Sequence, residues 1–174
     1  MKNNILTTIF IIFISIFSSA RLEPNNKNLT LVEEDKLFWD TIINEKLINN
    51  KNLLYASYIA YKDRLNDLSI ETFQECIKSN SSNSIISGLS NYYIGKNLFL
   101  IGKYEDAITQ FTIVENFDLA KYNYIKFAAT LNMAITYHKL GNNEKFRENL
   151  QKVISSDMTG IYKKQALDIL AMVQ

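Results

Sequence analysis

The stretch Gly88–Leu119, GLSNYYIGKNLFLIGKYEDAITQFTIVENFDL, decides the fold. Small and apolar residues stand at Ile94, Gly95 and Leu98, then at Tyr104, Ala107, Ile108 and Phe111, each set spaced as one face of a helix. Gly102 lies between the two sets, where a left-handed residue ends one helix and lets the chain reverse. Gly95 falls inside the first helix, a small residue against which a second helix presses its backbone. The stretch therefore predicts a helical hairpin. Such a hairpin cannot bury its own apolar face, so it predicts neighbours of the same kind.

The neighbours are present. At a shift of 39 residues the pattern returns as Thr130-x2-Met133-Ala134-x2-Tyr137, then Gly141, then Phe146-x3-Leu150. A weaker copy upstream reads Ala56-x2-Ile59-Ala60-x2-Asp63 and Thr72-x3-Cys76, with no turn glycine. Written as Asn91-x2-Ile94-Gly95-x2-Leu98 and Ala107-x3-Phe111, the central copy resembles one repeat of the tetratricopeptide family (TPR), whose pattern is W-x2-L-G-x2-Y…A-x3-F…P. The "LIGKYEDAITQF" and "YHKLGNNEKFRENLQKVI" elements look like the repeats of the bacterial periplasmic cell-division coordinator and of the outer-membrane-assembly lipoprotein families. The resemblance covers Ser84 to Val173. It departs from the family at the closing proline, replaced by Leu119 and Met158, and at the lipid-bearing cysteine of the assembly lipoprotein, which has no counterpart. It implies an all-α fold, a short right-handed α-α superhelix of TPR-like hairpins with an N-terminal and a C-terminal capping helix.

Bulk composition agrees with a helical chain. Among 174 residues there are 5 Gly and 1 Pro, and no strand-like alternation. The 19 basic and 18 acidic residues leave a net charge of +1 without a basic cluster, so nothing points to nucleic acid. A single cysteine excludes an internal disulfide.

In chain order, residues 1–20 read as an export signal. Lys2 precedes the apolar run Ile5–Phe17, and Ser18-Ser19-Ala20 offers a cleavage site after Ala20. The alternative is an uncleaved anchor that tethers the chain to a membrane. Both readings place the remainder outside the cytoplasm, in the periplasm or envelope. Residues 21–29 form a linker and 30–174 the helical domain. Within it come a degenerate hairpin at 53–80, repeats at 84–119 and 121–158, and a capping helix at 161–173. Thr30 with Glu33 forms a capping box for a helix carrying Phe38 and Trp39. Ser84 and Asp118 read as the caps of the two A helices. In the last helix, Ala166, Leu167, Leu170 and Val173 face inward, while Lys163, Lys164 and Asp168 stay wet.

Catalytic chemistry finds little footing. There is one histidine, His138, and no H-E-x-x-H, C-x-x-C or G-x-S-x-G element. Glu71 and Glu75 share a helix face, but adjacent exposed acids are a common surface feature. Cys76 reads as a small buried hydrophobe in the slot of a packed aromatic. The expectation is a non-enzymatic protein with no cofactor, no metal site and no small-molecule substrate, a hydrolase built on His138 being the remote alternative.

A surface is the better candidate. In tetratricopeptide proteins the first helices of successive repeats line a concave groove. With Ile94, Gly95, Leu98, Met133, Ala134 and Tyr137 assigned to packing, the groove falls to Tyr92, Lys96, Phe99, Ala128, Leu131, Ile135 and His138. An apolar, aromatic strip of this size predicts a site for a protein or peptide partner, an apolar peptide or helix, with Lys96 and His138 selecting an acidic or C-terminal group. Two alternatives stay open. The strip closes on a second copy in a homo-oligomer, or the Trp39 helix or the last helix folds into it and completes the core.

Overall fold

The computed structural model describes residues 29–32, 38–39, 51–119, 122–156 and 160–173. Residues 1–20, where an export signal is expected, and Glu33 of the expected capping box lie outside them. The described chain is all-helical, with seven helices: α1 (Lys51–Lys62), α2 (Asn66–Ser79), α3 (Ser84–Leu100), α4 (Tyr104–Glu115), α5 (Tyr124–Lys139), α6 (Asn143–Ser155) and α7 (Gly160–Val173). Each packs on the next, and α1 also meets α3, α3 meets α5, and α5 meets α7. Three hairpins, α1–α2, α3–α4 and α5–α6, thus stack with the second helix of each against the first helix of the next and with their first helices also in touch, and α7 lies against the last.

One turn is used three times. The residues with positive φ are Arg64, Gly102 and Gly141, spaced 38 and 39 apart. At each, its own N–H donates to the carbonyl three residues back, and the next N–H reaches five back. The outer bonds are Leu65 N to Ala60 O at 2.9 Å, Lys103 N to Leu98 O at 2.9 Å and Asn142 N to Tyr137 O at 2.9 Å. This is the Schellman closure, which needs a left-handed residue and so favours glycine. The first hairpin achieves it with an arginine.

That shared turn corrects the register of the first hairpin. Aligned on Arg64, Ser57 rather than Ala60 occupies the place of Gly95 and Ala134. The buried rows of the second helices then correspond as Ser69, Phe73, Cys76; Ala107, Phe111, Val114; and Phe146, Leu150, Val153. Thr72 is only partly buried, and Ala56 and Ile59 are exposed. Phe73, not Cys76, fills the aromatic slot, and Cys76 takes the slot that holds valine in the other two hairpins.

Two caps also move by local chemistry. Asn83, not Ser84, caps α3, its Oδ1 accepting from the N–H groups of Ile85 and Ile86 at 3.1 Å. Asp118 lies in the connection before α5, which starts at Tyr124. There Leu119, standing where a proline was expected, is buried, and its Cδ2 lies 2.7 Å from where a Cβ on Gly88 would be. At the end of the chain, Gly160 begins α7 rather than preceding it. Tyr162, Ala166 and Ile169 are its buried row, and Leu167 is exposed. Lys164 and Asp168 pair on the surface at 2.7 Å.

The helices are not equivalent in burial. α2, α4 and α6 are amphipathic, each with one buried row. In α3 every residue from Ile86 to Leu98 is buried, and in α5 every residue from Ala128 to Thr136. A helix covered all round has neighbours on both sides. For α3 and α5 these include the second helices and each other, and the N-terminal residues add cover, Val32 meeting both helices and Phe38 meeting α3.

Candidate functional site: the face of α1, α3 and α5 under the N-terminal segment

Of the predicted strip, Tyr92, Lys96, Ala128, Leu131 and Ile135 are buried, and Phe99 and His138 are half-buried. The expectation of an exposed strip is therefore corrected. Of these residues, Tyr92 meets the chain's own N-terminal segment, the kind of cover held open above for the Trp39 helix, whereas His138 turns its ring to Phe146 of α6.

The segment is held in two ways. At its start, Leu29 and Leu31 are buried, Thr30 between them is exposed and Val32 is half-buried. This alternation is that of an extended chain lying on a surface. The backbone of Val32 is held by two side chains. Its N–H donates to Asn132 Oδ1 at 2.7 Å, and its carbonyl accepts from the Tyr92 hydroxyl at 3.0 Å. Asn132 Nδ2 in turn donates to Tyr92 Oη at 3.1 Å. Residues 29–32 belong to no helix or strand, so their backbone polar groups must find partners elsewhere if buried. For Val32, Asn132 and Tyr92 supply them.

Further along, Phe38 is fully buried, stacked on Tyr58 with ring centroids 4.0 Å apart and edge-on to Tyr93 at 5.6 Å. Trp39 packs against Tyr55 at 5.7 Å and Tyr58 at 5.8 Å. Tyr93 stacks on Phe73 at 5.4 Å, tying this aromatic group to the second-helix layer. Lys96 is fully buried among three rings, with Nζ 4.8 Å from the centroid of Tyr61, 5.4 Å from Tyr92 and 5.3 Å from Tyr93. A desolvated ammonium over aromatic faces gains on the order of 2 kcal/mol from their quadrupoles. Lys96 thus sits within the structure rather than at a ligand-facing surface. His138 packs its ring 5.0 Å from Phe146, and its buried Nδ1 has no hydrogen-bond partner.

Asn132 is the site residue the sequence reading missed. Three other buried helical asparagines turn their amide back on their own helix: Asn91 to Ser87 O at 2.7 Å, Asn97 to Tyr93 O at 2.8 Å and Asn149 to Lys145 O at 2.8 Å. Asn132 spends both ends of its amide on the segment and on Tyr92. Asn97 also bridges hairpins, donating to Ser69 Oγ at 3.0 Å, which donates to Ser57 O at 2.9 Å.

Elsewhere, a cleft of about 320 Å³ opens between α4, α5 and α6, lined by Glu115, Lys126, Phe127, Lys152 and Val153 among others. Glu115 Oε1 is already engaged there by Lys152 Nζ at 2.7 Å and Thr130 Oγ1 at 2.8 Å. Among the described residues no group of three His, Cys, Asp or Glu side chains is placed to hold a metal ion. No helix among them is long and apolar enough to cross a membrane. Glu75 pairs with Lys78 on the surface at 3.2 Å. Burial raises the Cys76 thiol above its ordinary value, partly opposed by the Ser57 hydroxyl and reinforced by the Glu75 charge.

These features define an all-helical protein of stacked hairpins with an extended segment on one face. No protein-family model, curated protein or solved structure matches the chain.

Proposed function

We propose that this chain is a non-enzymatic adaptor for protein–protein interaction, a short right-handed superhelix of TPR-like hairpins exported to the bacterial envelope by residues 1–20. Its working surface is the face of α1, α3 and α5, which takes an apolar peptide or helix. The observation that carries the reading is the pair of bonds from Asn132 and Tyr92 to the backbone of Val32. Side chains that satisfy the main chain of a non-helical segment recognise peptide as peptide, largely independent of its side chains, and flanking apolar contacts add specificity. The turn at Arg64, Gly102 and Gly141 and the meeting of first helices support the repeat architecture.

The test is site-specific photo-cross-linking in living cells. A cross-linker at Phe99, half-buried at the end of α3, captures a partner, whereas one at exposed Glu144 on α6 does not. Absence of any adduct from position 99 defeats the adaptor reading. An adduct made of two copies of this chain replaces it with self-association through the same face.

A further inference from the structure

We infer that residues 29–32 and 38–39 are the anchors of a resident ligand of this face, released and replaced by a partner segment of the same chemistry. That chemistry is an extended Leu-x-Leu-Val sequence followed six residues on by an aromatic. The inference rests on the adaptor reading and adds to it what the face recognises and how it is kept closed.

Three observations carry it. First, the anchors are separable and sequence-local: Leu29 and Leu31 as alternate buried side chains, the Val32 backbone on Asn132 and Tyr92, and Phe38 between Tyr58 and Tyr93. Second, the anchors meet first helices in reverse order, Val32 on α5 and α3 and then Phe38, at the start of a helical stretch, on α3 and α1. Third, the grip on the main chain comes from side chains. Residues 29–32 are in no helix or strand, and Val32 is held by an amide and a hydroxyl that any extended segment in this register satisfies. A tethered occupant competes at an effective concentration in the millimolar range, which keeps the face shut against weak partners and opens it to strong or abundant ones.

The unmodified chain provides the first test. If the segment releases as a unit, the Val32 amide exchanges its hydrogen by local opening, at least ~100-fold faster than the central amides of α3 such as Ile94. Equal protection means that the segment leaves only when the helices unfold, and overturns the inference.

The second test uses a fluorescent peptide of residues 29–39, LTLVEEDKLFW. The full chain binds it poorly, and the Leu29→Ser/Leu31→Ser chain, with its own segment weakened, binds it at least tenfold more tightly. Adding Asn132→Ala to that chain lowers the affinity by ~5- to 100-fold, since the peptide N–H is then buried without an acceptor. A Leu29→Ser/Leu31→Ser chain that keeps its helical circular dichroism and does not bind overturns the inference, as does one that unfolds. A stable dimer of the unmodified chain in light scattering also overturns it, by assigning the occupant to a second copy. Peptide exchange without cross-links from position 99 in cells leaves the resident-ligand inference standing and removes the adaptor reading. Cross-links without peptide exchange do the reverse.

Discussion

The contact between α3 and α4 predicts a coupling that can be measured. A Cβ placed on Gly95 would lie 2.7 Å from Cε1, 2.9 Å from Cδ1 and 3.1 Å from Cζ of Phe111, a fully buried ring. Carbon atoms rest at about 3.5–4.0 Å, so the ring must retreat by roughly 0.8 Å or more into packed surroundings. Overpacking of this kind costs about 1–3 kcal/mol. Against it, replacing glycine by alanine within a helix returns about 0.5–1 kcal/mol. Gly95→Ala is therefore expected to destabilise by a net ~0.5–2 kcal/mol, where an unobstructed helical glycine would stabilise on the same change. The next hairpin carries the compensated pair, Ala134 with Leu150, both fully buried. Phe111→Leu alone should cost about 1 kcal/mol through the space it leaves, and the double variant should refill that space with the alanine methyl. Chemical denaturation followed by far-ultraviolet circular dichroism then gives a favourable coupling of ~1–2 kcal/mol in the double-mutant cycle. Additivity within ~0.5 kcal/mol, or a Gly95→Ala chain more stable than its parent, would refute the packing argument.

Four further outcomes follow, two from the turn and one each from the clamp and the thiol. Arg64→Gly should stabilise by about 0.5–1 kcal/mol in the same denaturation assay, because a side chain at positive φ costs about 1–2 kcal/mol and glycine gives part of that back in chain entropy. Gly102→Ala should cost about 1 kcal/mol although nothing lies within 4 Å of the added Cβ, the penalty being conformational alone. Asn132→Ala should destabilise by about 1–3 kcal/mol by leaving the Val32 N–H without its acceptor, read as a lowered denaturation midpoint. For Cys76 the folded state holds the proton more tightly than the unfolded chain does, since burial raises the thiol. Its contribution is complete below the unfolded thiol value of about 8.5 and is lost as pH rises through the folded value. Cys76→Val, which copies Val114 and Val153, should therefore flatten the fall in stability on the alkaline side, and an unchanged slope argues against a buried neutral thiol.

The all-helical class and two of the three turns were legible because their determinants are local. Gly102 and Gly141 announce a left-handed residue, and Phe111, Phe146 and Leu150 lie on evident stripes. The first hairpin was misread by three residues because its turn carries no glycine. Arg64 takes the left-handed conformation under tertiary constraint, and with that marker hidden the alignment settled on Ala60 instead of Ser57. The closure of the face was written in the charges. From Phe127 to Tyr137 there is no charged residue, and α3 has only Lys96. A helix with one open side carries charge along that side, as α2, α4 and α6 do, so two adjacent helices this poor in charge announce cover on both faces. The expectation of an exposed strip overlooked this.

The buried asparagines carry the same logic one step further. A polar side chain in the middle of an uncharged helix is satisfied by its own backbone or by something outside. Thr136 takes the first course, donating to Asn132 O at 2.7 Å, as Asn91 and Asn149 do to the carbonyls four residues before them. Asn132 takes the second, and the group it needs is a peptide N–H, which a neighbouring helix in mid-span does not offer because its own ladder uses it. A fully buried asparagine facing away from its own helix calls for a donor from outside it, which a side chain or a non-helical main chain can supply. Leu29–Val32 meets that requirement here. The same amide would meet any extended segment at this register with equal geometry, so what selects the occupant is the apolar spacing on either side: Leu29 and Leu31 before the clamp, Phe38 after it.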